Sequence, residues 1–221
     1  MTTKRFSKST LLALTTAILV SGAYPAQAFI KGIDHNSQTP LTLHVADDAH
    51  VQGAQNFIDG VAKRGIGFLS NESLSEAQRE KEFRQLLNDS FDMNTIARFA
   101  LGRYWKSASE AQKKEYLKLF QAMIVEVYTA RFSEYNGQAL EVVSARGEGD
   151  SDAIVTSKIV PAEGKDVQVD WRVRHKNGRY KVVDVVVEGV SMALTQRSDF
   201  ASVIQRGGGN VEVLLEHLRA S

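Results

Sequence analysis

Asp184 stands inside the run Val182-Val183-Asp184-Val185-Val186-Val187, where every neighbour is apolar. A carboxylate among valines is costly to bury unless it is compensated, so it needs a partner such as an arginine or the free amides of a helix start. A desolvated carboxylate can also serve as a general base, but no second catalytic group stands at a predictable distance from it. Nucleophilic chemistry has less to work with. Cysteine is absent and no G-x-S-x-G elbow occurs. His35, His44 and His50 are spaced so that no helix face carries them together, and no carboxylate motif accompanies them. His175 lies beside Asn177-Gly178 and His217 follows Glu216, both positions expected to be solvated. Gly207-Gly208-Gly209 follows a helical pattern and lacks the lysine of a phosphate-cradling loop, so it reads as a flexible connector. These residues predict no metal, no cofactor and no catalytic set, and leave Asp184 a structural role.

The composition narrows the class further. Hydrophobic residues make up 43% of 221 and charged residues 24%, which suits a globular domain with a core. Lys plus Arg number 27 against 26 acids, so the basic footprint of a nucleic-acid binder is missing. At the N-terminus, Lys4, Arg5 and Lys8 precede an apolar run from Leu11 to Val20 and then Ala26-Gln27-Ala28. A basic start, a short apolar stretch and an A-x-A site are the parts a signal peptidase reads, and the stretch is too short to span a bilayer core of about 30 Å. The expected organisation is a signal peptide over 1–28, a flexible segment over 29–50 and a folded domain over 51–221, exported to the periplasm.

The elements that must position any site follow from periodicity. From Val51 the pattern is helical through Phe57, Val61, Ile66 and Leu69. Ser73 with Glu76, and Ser107 with Glu110, read as capping boxes that open two further helices. Between them a short helix runs from Phe91-Asp92 to Leu101, with Gly102 to end it by a left-handed conformation. The helix after Ser107 is expected to reach about Tyr135. Then the period becomes two. Residues 140–146, 153–160, 167–175 and 180–188 read as four strands, and Asn177-Gly178 predicts a tight antiparallel hairpin. Helices over about 191–205 and through Leu218 close an α+β domain.

Strand three alternates Val169, Trp171 and Val173 against Gln168, Asp170, Arg172 and Arg174, so one of its faces is apolar. The long helix presents Phe120, Ile124 and Tyr128 at helical spacing. Together with Phe99, Val183 and Val185 these residues could line a cavity for a hydrophobic ligand, or pack on one another as an ordinary core.

Two segments carry a resemblance. Ile96 to Gln112, IARFALGRYWKSASEAQ, and Asp184 to Met192, DVVVEGVSM, with YTARFSEYNGQ from Tyr128 to Gln138, are similar to the periplasmic phospholipid-binding MlaC or toluene-tolerance proteins over roughly Val51 to Leu218. None of these motifs is catalytic. The resemblance implies helices around a curved four-stranded antiparallel sheet, a cone of the nuclear-transport-factor-like type with an apolar cavity. It implies a non-enzymatic carrier of a phospholipid or hopanoid-type lipid, working between an inner-membrane ABC transporter lipid complex and an outer-membrane lipoprotein-porin complex. Two other readings stay open: an enzyme on the same fold with Asp184 as base on a small apolar substrate, and a structural envelope protein.

Overall fold

Two Ser-x-Ser-Glu-Ala-Gln segments, Ser73–Gln78 and Ser107–Gln112, open two of the six α-helices of the described residues. In the computed structural model, which describes residues 48–220, the caps are Ser75 and Ser109, two residues later than expected. Each hydroxyl accepts from the backbone N–H of the glutamine at the third helical position, and that glutamine's side chain accepts from the cap's own N–H. The later frame places Glu76 and Glu110 in the first turn, where a negative charge suits the helix dipole, while glutamine does the reciprocal capping. Ser73 and Ser107 are left to bond Asn71 and the Tyr104 carbonyl in the preceding turns.

The helices are α1 (Asp48–Leu69), α2 (Glu76–Ser90), α3 (Met93–Leu101) and α4 (Glu110–Thr129), then α5 (Met192–Arg206) and α6 (Val211–Arg219) after the sheet. α1 begins at Asp48, so His50 belongs to a helix and not to a lead-in. α4 stops at Thr129, short of Tyr135, and a 3-10 turn over Phe132–Glu134 follows. Gly102 ends α3 at φ 57°, ψ −131°, a positive-φ region open to glycine but outside the left-handed helical well. Gly207 to Gly209 form an ordered helix end, with Gly209 N–H donating to the Ile204 carbonyl at 2.8 Å, so they are a cap and no loose connector. The expected signal peptide over 1–28, His35, His44 and the rest of the segment before Asp48 lie outside the described residues.

The sheet is antiparallel in the order β1 (Ala139–Glu148), β2 (Asp152–Val160), β3 (Val167–Lys176), β4 (Arg179–Val187) and β5 (Val190–Ser191). The count is five where four were expected, because Glu188 and Gly189, both at positive φ, fold a two-residue turn that returns the chain against β4. Read across the register, one face carries Val142, Ala145, Ala153, Val155, Val169, Trp171, Val173, Val182 and Val185. α1 covers one end of that face, burying Ala54 and Ile58 among Ala153, Val155, Val173 and Val182. A second cluster forms where α3, α4, α5 and α6 meet, around Tyr116, Phe120, Phe200, Ile204, Leu214 and Leu215, and it contains no residue of the sheet.

The opposite face is charged. Arg174 grips Asp152 across β2 and β3, Nε to Oδ1 at 2.7 Å and Nη2 to Oδ2 at 2.8 Å. That hydrogen bond holds the Asp152 carboxyl below its usual value of 3.8, and it outweighs the burial that pushes the other way. A depressed folded pKa stabilises the fold above the unfolded value, and that contribution disappears as pH falls through the folded one. Arg174 keeps an open side that solvent screens, so Asp152→Asn should lower stability at pH 7 by about 1 kcal/mol. Urea titrations at pH 7 and below pH 4 should show the gap closing in acid, and a gap that persists there would contradict the pairing.

Gly53 is a close approach. A Cβ there would lie 2.1 Å from the Tyr180 hydroxyl oxygen and 2.6 Å from its ring. The ring cannot step aside, since it stacks on His175 at 4.4 Å and on Phe57 at 6.0 Å. His175 is therefore part of a stack and not simply solvated. Gly53→Ala should destabilise by about 1 to 3 kcal/mol despite the better helix propensity of alanine. Thermal melts would check it, and an unchanged or higher Tm would refute the contact.

Candidate functional site

β4 holds one residue more than β3 between Val182 and Asp184: Val173 faces Val182, Arg172 faces Asp184, and Val183 has no cross-strand partner. A strict period of two would place residue 184 on the same face as Val182, among the apolar side chains. The bulge turns it over. Asp184 joins the Arg172 face and Val185 moves beside Trp171 on the apolar one.

There the carboxylate is fully engaged. Its Oδ1 accepts from the backbone N–H groups of Val185 at 2.9 Å and Ala193 at 3.1 Å, and its Oδ2 accepts from the Ser191 hydroxyl at 2.6 Å. Ser191 in turn accepts from Leu194 N–H as the cap of α5. The partners are capping amides and a hydroxyl, the second of the two arrangements expected. Asp184 ties the sheet to the start of α5.

Of the nine residues singled out by alternation, the structure brings four onto one sheet face. Val169 and Val173 are buried there, while Trp171 and Val185 are half-buried and opposite each other. Trp171 donates its indole N–H to Ser157 Oγ at 2.9 Å, which frees its ring edge of polar demands. Val183, the unpaired bulge residue, is buried. Phe120 lies in the helical cluster with the rings of Tyr116 and Phe200, and Ile124 packs on the same cluster. Phe99 is 40% exposed beneath the Arg197 guanidinium, apart from the others.

Tyr128 behaves differently from all of these. Burial pushes its hydroxyl pKa up, more strongly than nearby Arg131 pulls it down, yet 43% of the residue is reachable by solvent. Its ring rests against Phe83 of α2 and leaves part of its surface to solvent. Its ring stands 6.2 Å from Phe83, which meets Phe132 edge-on at 5.4 Å, and Phe132 lies 5.9 Å from Phe68. This aromatic row joins α1, α2, α4 and the 3-10 turn behind it. Phe91, at the α2–α3 junction, meets Trp171 at 6.5 Å and links the helices to the sheet. Phe68, Phe83, Phe91 and Phe132 were not singled out beforehand. Each was visible as an apolar position, but period alone does not say that rings from four separate segments converge.

Among the described residues no group of three His, Cys, Asp or Glu is placed to hold a metal ion. Two surface hollows, of about 330 Å³ beside Pro161 and about 520 Å³ beside Tyr180, contain none of the nine residues. No helix of the described residues is long and apolar enough to cross a membrane.

The family model described as MlaC protein matches residues 61–220. The chain belongs to the MlaC family. It is similar to the intermembrane phospholipid transport system binding protein MlaC of Haemophilus influenzae, 28% identical over 125 residues, which are 55% of this chain and 58% of that protein. It is also similar to the toluene tolerance protein ttg2D of Pseudomonas putida, 25% identical over 114 residues, 52% of this chain and 53% of the other. The chain thus spans little more than half the length of these curated relatives. Among solved structures, the phospholipid-binding protein from Ralstonia solanacearum, determined in complex with a phospholipid, matches with a TM-score of 0.66. That match covers 76% of this chain and 95% of the other at 22% identity, and it establishes a shared fold. The two segments that carry the resemblance to the MlaC family are joints of this fold: Ile96 to Gln112 spans α3, a 3-10 turn and the α4 cap, and Asp184 to Met192 spans the β4–β5 turn and the α5 cap.

Proposed function

We propose that the protein is a non-enzymatic carrier that shields the acyl chains of a phospholipid, or of a related lipid such as a hopanoid, in the periplasm. The observation that carries this reading is the apolar sheet face, on which Trp171 and Val185 stay half-buried beside Phe91, in a fold shared with a protein determined in complex with a phospholipid. The acyl chains lie between the half-buried apolar residues of the two hydrophobic clusters, Trp171, Val185, Val142 and Phe91 on the sheet side and Ile124 and Met123 on the helix side, with the exposed Tyr128 one turn beyond Ile124. Shielding is needed because each methylene moved into water costs about 0.8 kcal/mol, on the order of 20 kcal/mol for two long chains. The donor and acceptor are an inner-membrane ABC transporter lipid complex and an outer-membrane lipoprotein-porin complex; the name of the Haemophilus influenzae relative supports only that it serves an intermembrane phospholipid transport system. The signal peptide over 1–28 delivers the chain to that compartment.

Asp184 as a general base has little support, since both of its oxygens already accept hydrogen bonds from the chain. Extracting detergent-free protein with organic solvent and analysing the extract by mass spectrometry tests the carrier reading. A near-stoichiometric lipid is expected; protein that is well folded and lipid-free from its native envelope would overturn it.

A further inference from the structure

Phe99 and Leu194 are 40% and 55% exposed, two of the most exposed large apolar side chains of the described residues, and they sit on packed neighbouring helices, α3 and α5. Between them lies Arg197, one helical turn from Leu194, with its guanidinium 5.2 Å from the centre of the Phe99 ring. Arg98, Arg103 and Lys106 follow on the α3 side, all exposed. None of these four cations has a carboxylate within ion-pair distance among the described residues, although ten ion pairs occur elsewhere in the fold. Asp199, the acid of α5, lies two positions beyond Arg197 and so about 200° around the helix.

The charge here runs against the rest of the chain. Without residues 1–28 the sequence holds 24 Lys and Arg against 26 acids, yet this surface gathers cations alone around two apolar tips. Arg103 donates to the Tyr104 hydroxyl and Arg98 lies over the Trp105 ring, so these cations are held by aromatic neighbours and not neutralised by carboxylates. Exposed apolar side chains among such cations suit a soft, anionic, apolar-beneath surface, where each cation gains attraction and each apolar side chain enters the headgroup layer.

We propose that the Phe99–Leu194 surface, with Arg98, Arg103, Lys106 and Arg197, docks the protein on an anionic lipid bilayer. The inference rests on the carrier reading, because the complexes with which a carrier exchanges its cargo are set in membranes, and docking on the bilayer beside them holds it there. Docking is weak and salt-dependent, as befits a protein that must leave again.

Sedimentation with vesicles of phosphatidylglycerol and phosphatidylcholine, beside vesicles of phosphatidylcholine alone, tests it on the exported full chain, with lipid content measured on each sample. The wild type should bind the anionic vesicles at low salt and release at high salt. R103E/R197E should weaken binding at least about tenfold, and F99S/L194S should weaken it while leaving the Tm and the bound-lipid ratio unchanged. Absence of wild-type binding with lipid still carried would overturn the docking surface and leave the carrier reading standing. Lipid-free wild type that nonetheless docks would do the reverse. Equal binding to soluble poly-glutamate, insensitive to F99S/L194S, would mean an acidic protein partner and would also overturn the proposal.

Discussion

Val185→Trp should empty the protein of lipid while leaving it folded, whereas Val173→Trp, two pairs along the same sheet face, should cripple folding. Val173 is fully buried against Ala54 and Ile58 of α1, where an indole has no room. Overpacking a closed core costs about 1 to 3 kcal/mol and sometimes more, and here α1 would have to lift from the sheet. Val185 is half-buried beside Trp171, at the margin of the cluster that Val173 and α1 fill. An added indole there takes the space of an acyl chain. Melting temperatures after delipidation and lipid-to-protein ratios before it separate the two effects, since bound lipid itself raises the apparent Tm. If Val185→Trp stayed fully loaded, or unfolded as badly as Val173→Trp, the acyl chains would not lie against this part of the sheet.

Asp184→Ala should be the more damaging of two substitutions at the bulge. It leaves the Ala193 N–H and the Ser191 hydroxyl without their acceptor at the start of α5, and donors that lose a charged acceptor cost about 1 to 3 kcal/mol. Asp184→Asn keeps one carbonyl oxygen in place and should retain most of the stability. Neither substitution should change the lipid ratio once the protein is folded, because the carboxylate faces away from Trp171 and Val185. Denaturant midpoints and lipid ratios read both. Equal losses for Ala and Asn would mean that the charge, and not the acceptor geometry, holds α5.

The fold was legible where periodicity and turn chemistry agree. Asn177-Gly178 fixed the β3–β4 hairpin, and both residues take positive φ as a tight turn requires. The long aromatic pattern gave α4 its core, with Tyr116 and Phe120 fully inside. The capping frame was less legible, because Ser73 and Ser75 each precede an acceptor-bearing side chain by three residues and only the folded backbone chooses between them. β5 is two residues long, too short for any alternation to register.

The site was harder to read for a physical reason. Alternation assigns faces only while the register is unbroken, and the bulge at Val183 reverses the assignment of everything beyond it in β4. Val169, Trp171 and Val173 on unbroken β3 came out together. Phe120 and Phe99 lie on faces of α4 and α3 whose partners, α5 and α6, come from the far end of the chain, and no local pattern reveals which helix will cover which face. Tyr128 shared its spacing with Phe120, but spacing alone does not show that Phe120 is enclosed while Tyr128 rests on Phe83 with 43% of its surface exposed.

The central claim is that acyl chains occupy the space between the sheet and α4, and Trp171 is placed to report it. The chain has two tryptophans, and Trp105, on the 3-10 turn after α3 between Arg98 and Lys113, can be replaced by phenylalanine. Trp105→Phe protein would be delipidated and reloaded with a phospholipid carrying bromine along its acyl chains, and its fluorescence compared with that of protein loaded with the unbrominated lipid. Bromine quenches an indole only near contact, so the account predicts strong loss of Trp171 emission at stoichiometric loading. Fully loaded protein whose Trp171 emission is unchanged would contradict it.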